Sequence, residues 1–521
     1  MSPEPGNEYD VSIVGYGPVG ASLALFLARS GLRVSIHDRS IELYDLPRAV
    51  GLDGESLRAY QSIGLGERVH GIVQPPRDGD ALWFTDSKRN KLFGIDTAQQ
   101  AGHNGWRDLN FFDQPELEET LRDVIPNEDG IDVFVGEEAM GIREMGDGVE
   151  LDLRELASGE ERTVRTSWLV GCDGASSFVR RTLDIPWTSL GYDQDWLVID
   201  VVMSPEAKLP LATMQVCDPE RLTTYVCVKD PNRRWEFQLR PGETRAEMVR
   251  PETIDGLLES WIPKGHYTLR RAAVYQFHAA TAERWREGRI LLAGDAAHQT
   301  PPFLGQGLNS GVRDAFNLAW KLALVAEGRC DAGLLDSYFE ERDDHARTLI
   351  DGACDIGKLM ETLAAREAGR PEPHPGWAPS LDVGGGRVAL AIQGGATHAA
   401  QRSEEIPVGA PLRQPLIRRR GSDETPTRLD DVCGRGFALI GRTAADVALD
   451  DEARAIADRL GLRHLALEGL EVVDGSFDQV FEKRAAVLVR PDRYVFGVTD
   501  DETSASELVR LAATKIALVR D

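Results

Sequence analysis

Three short segments of the sequence set glycines beside an aspartate or a helix start at the end of an apolar run. The first is Gly15-Tyr16-Gly17-Pro18-Val19-Gly20, which follows Val11-Ser12-Ile13-Val14 and precedes a helical pattern through Leu23, Leu27 and Ala28. Its G-x-G-x-x-G spacing in a strand–turn–helix setting has a physical use. Gly15 permits a tight turn, Gly17 lets backbone approach a pyrophosphate, and Gly20 lets helix and strand pack closely. Pro18 opens the helix, whose N-terminus offers unpaired N–H groups and partial positive charge to phosphates. Asp38 ends the next strand, Val34-Ser35-Ile36, where a carboxylate can accept hydrogen bonds from ribose hydroxyls, and Arg39 adjoins it. These residues predict a dinucleotide site without choosing between FAD and NAD.

Two later segments make that choice. Gly171-Cys172-Asp173-Gly174-Ala175-Ser176 follows Trp168-Leu169-Val170, and Gly294-Asp295-Ala296-Ala297-His298 follows Ile290-Leu291-Leu292-Ala293. After the second comes Pro301-Pro302-Phe303-Leu304-Gly305-Gln306-Gly307-Leu308-Asn309. Asp295 can reach a ribityl hydroxyl. Gly305 and Gly307 permit a close backbone path under a flat ring, flanked by Pro302 and Leu308. A long helix then starts near Asn309, and its N-terminal amides suit the negative edge of a reduced flavin. Three such turns in this order predict tightly but noncovalently bound FAD.

With Pro47-Arg48-Ala49, Gln114-Pro115-Glu116-Leu117 and the run from Asn309 to Leu322, the chain resembles the class A flavoprotein aromatic hydroxylases, the p-hydroxybenzoate hydroxylase superfamily, and among them the 3-(3-hydroxyphenyl)propionate hydroxylases. The resemblance is strong over residues 8–360 and weak beyond. It implies that Arg48 and Gln114 contact FAD and that Asp173 and Gly174 serve both FAD and NAD(P)H. It implies the activity too: NADH or NADPH reduces FAD, O2 reacts to give a flavin C4a-hydroperoxide, and a phenolic ring is hydroxylated. Alternatives are epoxidation or Baeyer–Villiger chemistry on a polycyclic aromatic substrate, and, outside enzymology, an FAD-binding redox sensor. Phenol activation needs a base tuned near neutral pH. His278 is the catalytic candidate, followed by Tyr192, Tyr225 and Tyr275, while His298 reads as structural. With one G-x-G-x-x-G taken by FAD, the nicotinamide cofactor binds transiently, and Arg180, Arg233 or Arg234 could meet its phosphates. Gln299, Thr300, Phe303, Leu304 and Leu308, where substrate contacts are expected, do not match a small phenylpropanoate site. The ring system is therefore open.

The elements that position these residues form an α/β architecture. It comprises a discontinuous Rossmann-like FAD-binding domain (1–75, 100–185 and 275–365) and an interleaved β-sheet substrate domain (76–99 and 186–274). A proline-rich linker (366–395) leads to a C-terminal domain (396–521). By resemblance that last domain is thioredoxin-like, but it lacks C-x-x-C, so a packing or oligomerisation role is expected. Six dispersed cysteines give no metal motif and suggest a reducing compartment. A net charge of −26 disfavours nucleic acid and anionic lipid. No run approaches the roughly 20 apolar residues of a membrane span, and Met1–Asp10 has no signal-peptide character, so a cytoplasmic location is expected. A homodimer is left open.

Overall fold

Every residue of β1 (Tyr9–Val14) is buried, as befits a central strand covered on both faces. The computed structural model describes residues 8–77, 81–96, 102–379, 391–403 and 406–519. β1, α1 (Pro18–Ala28) and β2 (Val34–Asp38) form the βαβ unit. β1 pairs in parallel with β2 on one side and with the Glu161–Gly171 strand on the other. Ile131–Val135 extends the sheet beyond β2, and Ile290–Leu292 extends it beyond Glu161–Gly171, both in parallel. The register places Val14, Gly171 and Leu292 side by side on adjacent strands. All three glycine–aspartate turns therefore leave the same edge of the sheet, at the carboxyl ends of its strands, where ligands of open α/β sheets bind.

A second, mostly antiparallel sheet has eight strands. Its order runs from His298–Gln299 through Tyr267–Ala282, Trp187–Met203, β3 (Asn232–Gln238), Thr223–Val226, Ala212–Val216 and Ala81–Thr85 to Lys91–Asp96. Alternation gives it two faces. Leu197, Ile199, Tyr225, Trp235 and Phe237 pack a core with Met248, Ile254 and Leu258 from the short helices Arg245–Met248 and Pro251–Leu258. The opposite face carries Gln215, Thr224, Arg234 and Glu236 toward the first sheet.

Two helices join the sheets. α2 (Gly307–Ala326) packs against α1, and α3 (Asp336–Glu367) spans 32 residues. The long helix expected near Asn309 is α2, whereas no sequence pattern is assigned to α3. One stripe of α3, His345, Leu349, Gly352 and Ile356, faces the space between the sheets at helical spacing.

The C-terminal region contains a four-stranded mixed sheet ordered Arg463–Ala466, Ala438–Gly441, Ala486–Val489, Val495–Val498. The first two strands are parallel and the last two antiparallel, with helices Asp451–Leu460 and Ala505–Lys515 beside them. Buried charges fasten this region to the rest. Arg58 grips Asp430 at 2.6 and 2.8 Å, and Glu341 on α3 is held by Arg490 at 2.7 Å and Lys321 at 2.8 Å. Within the expected linker, residues 380–390, which include Gly384-Gly385-Gly386, lie outside the described residues. Among the described residues no helix is long and apolar enough to cross a membrane, and no cluster of His, Cys, Asp or Glu could hold a metal ion.

Candidate active site

The carboxyl edge of the parallel sheet, the polar face of the second sheet and the α3 stripe enclose a cavity of about 1510 Å³. Single-ligand pockets span roughly 300–1,000 Å³, so this space suits a dinucleotide together with a second molecule.

One end is made of backbone. Gly15 turns with φ +110°, and a Cβ there would strike the carbonyl of Cys172; a Cβ on Gly20 would strike the carbonyl of Gly15. Gly17 is different. Its added Cβ would meet nothing within 4 Å and would enter the cavity, as would those on Gly174, Gly305 and Gly307. The first intrahelical bond of α1 runs from Ala21 N–H to Gly17 O, which leaves the amides of Val19 and Gly20 without helical acceptors. In α2 the first is Ser310 N–H to Gln306 O, which frees the amides of Gly307, Leu308 and Asn309. Neither helix has a side-chain cap. Asp173 Oδ1 is buried without a partner, while its Oδ2 accepts the Val179 N–H at 3.1 Å. Burial raises the Asp173 carboxyl above its ordinary range. Asp295 opens onto the cavity, and the protein packed around it raises its carboxyl against the lowering pull of His298 and Arg48. An open glycine cradle, two uncapped helix starts and an orphaned acceptor fit FAD: amides for its phosphates, carboxylates for its hydroxyls.

All the sequence-predicted cofactor residues line this cavity except Gly20, which packs behind it. Several act differently from expectation. The Asn309 amide accepts from Asp53 N–H at 3.0 Å and donates to Gly51 O and Gly305 O, so its side chain positions the loop and only its backbone N–H stays free. Gln114 accepts from Ala49 N–H at 2.8 Å and donates to Glu118, fixing the backbone beside Arg48. Asp38 accepts from the amides of Tyr16 and Ser40, both at 2.7 Å, and this shapes the turn. Arg39 and Arg48 are exposed to the space, and Arg48 stacks over Tyr44. His298 contacts Asp314 at 2.6 Å, and Asp314 accepts from Gly294 N–H at 3.1 Å. That chain of contacts supports the Asp295 turn.

The structure does not bring His278 to the site. It sits on the second sheet, 41% exposed, and contacts Asp193. Its strand, Tyr267–Ala282, is long, and position 278 falls beyond the cavity. Tyr192 donates to Gln194, Tyr225 lies in the back-face core with its hydroxyl on Pro210 O, and Tyr275 accepts from Arg271. Arg180 donates to Ile185 O and covers Trp187; Arg233 and Arg234 are 2% and 4% exposed. None of the three arginines is a surface cation awaiting a phosphate, because the adjoining strands bury them. Of the expected substrate contacts, Thr300, Phe303, Leu304 and Leu308 line the cavity, while Gln299 turns to Ala175 O.

What the sequence reading missed is the far wall. Register aligns Phe84, Gln215, Thr224 and Glu236 across four strands. Thr224 Oγ1 donates to Gln215 Oε1 at 2.7 Å. His345 joins from α3, accepting from Arg342 at 2.6 Å; burial and that guanidinium hold it neutral. The available signal was alternation in β3, where Arg234 and Glu236 interleave with Trp235 and Phe237.

Comparison with known proteins agrees with this geometry. The family described as FAD binding domain matches residues 8–353, and the HcaD C-terminal domain matches 409–514. The 3-(3-hydroxy-phenyl)propionate/3-hydroxycinnamic acid hydroxylase of Escherichia coli O139:H28 is 34% identical over 98% of this chain and 96% of its own. Its counterpart in Klebsiella pneumoniae strain 342 is 33% identical over the same shares. A crystal structure of aklavinone-11 hydroxylase with FAD and aklavinone superposes with a TM-score of 0.81 at 25% identity, covering 98% of this chain and 99% of that one. The chain therefore belongs to the FAD-binding-domain family, that of the FAD-dependent aromatic hydroxylases.

Proposed function

We propose that this protein is an FAD-dependent monooxygenase that uses NADH or NADPH and O2 to hydroxylate a phenolic ring. The observation that carries the reading is the convergence of three glycine–aspartate turns, set side by side by strand register, on one cavity whose far wall belongs to a second sheet. Bound FAD supplies hydride acceptance and oxygen activation. The chain does the rest. The α1 amides and Asp38 would hold phosphate and ribose, and Asp173 and Asp295 would accept from further hydroxyls. The α2 amides would favour negative charge at one edge of the ring. Tyr192, Trp196 and Phe277 pack edge-on against Phe303, which lines the cavity, so an aromatic cluster backs that part of the wall and would help to exclude water. Excluding water protects a reactive oxygen donor from wasteful breakdown.

The nicotinamide cofactor has no second glycine turn and would bind transiently. We read residues 1–75, 100–185 and 275–365 as the FAD-binding domain, 76–99 and 186–274 as the substrate domain, and the C-terminal mixed sheet as a thioredoxin-like unit with a packing role. The location is read as cytoplasmic.

The test is direct. Purified protein should carry FAD, and a panel of phenols should include some that accelerate NAD(P)H oxidation and gain one oxygen atom in mass. Acceleration without oxygen gain by any phenol would leave the reading without support.

A further inference from the structure

Resting on that reading, we infer that Glu236 is the catalytic base that takes the phenol proton. Glu236 is 3% exposed and lines the cavity, no side chain among the described residues hydrogen-bonds it, and its oxygens are not among the polar atoms sealed without a partner, so the carboxylate opens on the cavity itself. Its nearest cation is Arg234, with Nη1 4.0 Å from Oε1. That guanidinium is already committed: to Asp200 at 2.7 Å, to Arg48 O at 2.7 Å and to Pro47 O at 2.7 Å. Arg234 thus holds the FAD-side loop against the sheet and leaves the carboxylate to the cavity.

The position is fixed by strand alternation. Trp235 and Phe237 anchor β3 in the back-face core, so residue 236 must face the other way. Opposite it across the ladders stand Thr224 and Val198. The charged and titratable groups packed around it are Arg234, Asp200, Arg271 and, from the neighbouring strand, Tyr192. Burial raises the Glu236 carboxyl to about 7, against the pull of Arg234 and with the repulsion of Asp200. A carboxyl at that value exchanges protons with a phenol near neutral pH, where general bases are most effective.

The step balances. The phenol O–H breaks as the Glu236 O–H forms, giving a phenolate with its ring electrons raised for attack on the oxygen donor. As the ring carbon forms its C–O bond, the donor's O–O bond breaks and leaves an oxygen anion on the donor. When the ring regains aromaticity, that carbon gives up its hydrogen as a proton, which neutralises the donor's oxygen anion, and the Glu236 proton returns to the phenolic oxygen. The oxygen donor of the proposed reaction is the oxidant, and no other is needed.

The experiment uses FAD-loaded protein and two readouts. Ionisation of bound 4-nitrophenol is followed by difference absorbance across pH, and kcat/KM is measured for an accepted phenol. In the parent protein kcat/KM should fall on the acid side with a midpoint near pH 7. Glu236→Gln should keep its FAD, lose that acid limb, bind 4-nitrophenol as the neutral form through neutrality, and drop in kcat roughly 100-fold. Glu236→Asp should restore the limb in part. If Glu236→Gln keeps both the limb and the bound phenolate, the inference fails while the hydroxylase reading stands. If no phenol is hydroxylated by the parent protein, the hydroxylase reading fails, and the binding spectra still decide whether Glu236 ionises a bound phenol.

Discussion

The two ends of the cavity are built from different materials. The nucleotide end is backbone: glycine turns and uncapped helix starts, with carboxylates that shape the turns as much as they face a ligand. The substrate end is side chain: Phe84, Gln215, Thr224 and Glu236 from four strands, and an α3 stripe from a fifth element. Backbone sites tolerate little change because a Cβ either collides or blocks the ligand. Side-chain walls can be rewritten one residue at a time without disturbing the sheet that carries them. One scaffold can thus keep one cofactor and vary its substrate.

The sharpest way to break this contrast is at Gly17. Its Cβ would meet no protein atom within 4 Å. Gly17→Leu should therefore leave the FAD-free fold as stable as the parent. It should still weaken FAD by roughly 100-fold or more, since losing close approach forfeits two charge-assisted amide bonds at about 1.5–3 kcal/mol each. Titration of FAD with fluorescence, beside thermal unfolding of the FAD-free form, reads both quantities. Unchanged affinity would mean that this turn is not the phosphate cradle. Gly15→Ala makes the counterexample: there the new Cβ meets Cys172 O, and both fold and affinity should fall.

The same contrast explains what could be read from the sequence. The nucleotide end was legible because glycine requirements leave a mark at fixed spacing: positions 15, 17 and 20, then 294, 305 and 307. Register then brought the distant turns together, but each was recognisable alone. The substrate end was not. Gln215, Thr224 and Glu236 become neighbours only through antiparallel pairing, which no local pattern announces. His278 attracted attention as a titratable residue near a motif, yet distance along the chain is a poor guide on a 16-residue strand. α3 went unread, although its cavity stripe has helical spacing, because much of its other surface is charged or carries polar groups paired inside, such as Glu341 and Arg342.

A pair of buried carboxyls sharpens the comparison through pH. Burial alone would raise Glu341, but Arg490 and Lys321 hold it at about 2. Its contribution to stability is present above the ordinary carboxylate range and is lost as pH falls from about 4.5 toward 2. Glu236 lacks such partners and has the opposite sign. Folded protein keeps its proton up to about 7 while the unfolded chain releases it near 4.5, so stability falls as pH rises between them. Relative to the parent, Glu236→Gln should gain on the order of 1–3 kcal/mol on going from pH 5 to pH 8. Denaturant unfolding at the two pH values measures this. A constant difference would show that Glu236 is solvated or paired after all.

Asp38 offers a smaller effect at the nucleotide end. Its two oxygens hold the Tyr16 and Ser40 amides, and a carboxylate has room for further donors. Asp38→Asn leaves one oxygen to accept and turns an N–H2 toward a backbone N–H. FAD affinity should fall about tenfold, near 1.4 kcal/mol, well short of the Gly17 effect. A loss as large as that of Gly17→Leu would mean that this side chain, rather than the backbone, dominates binding.

The least effect is expected at His278, and it discriminates because a histidine is the usual first choice for a base. Its ring pairs with Asp193 at the surface, both partners being 41% and 51% exposed. Exposed pairs contribute from about 0 to 1 kcal/mol, and nothing links this one to the cavity wall. His278→Ala should therefore leave kcat and the acid limb of kcat/KM unchanged and should shift stability by less than about 1 kcal/mol. Glu236 and His278 lie on the same sheet, and what separates them is where the pleat and strand length deliver the side chain. If His278→Ala removed the acid limb, the proton acceptor would lie at the sheet's exposed end, and the substrate would have to bind outside the enclosed space between the sheets.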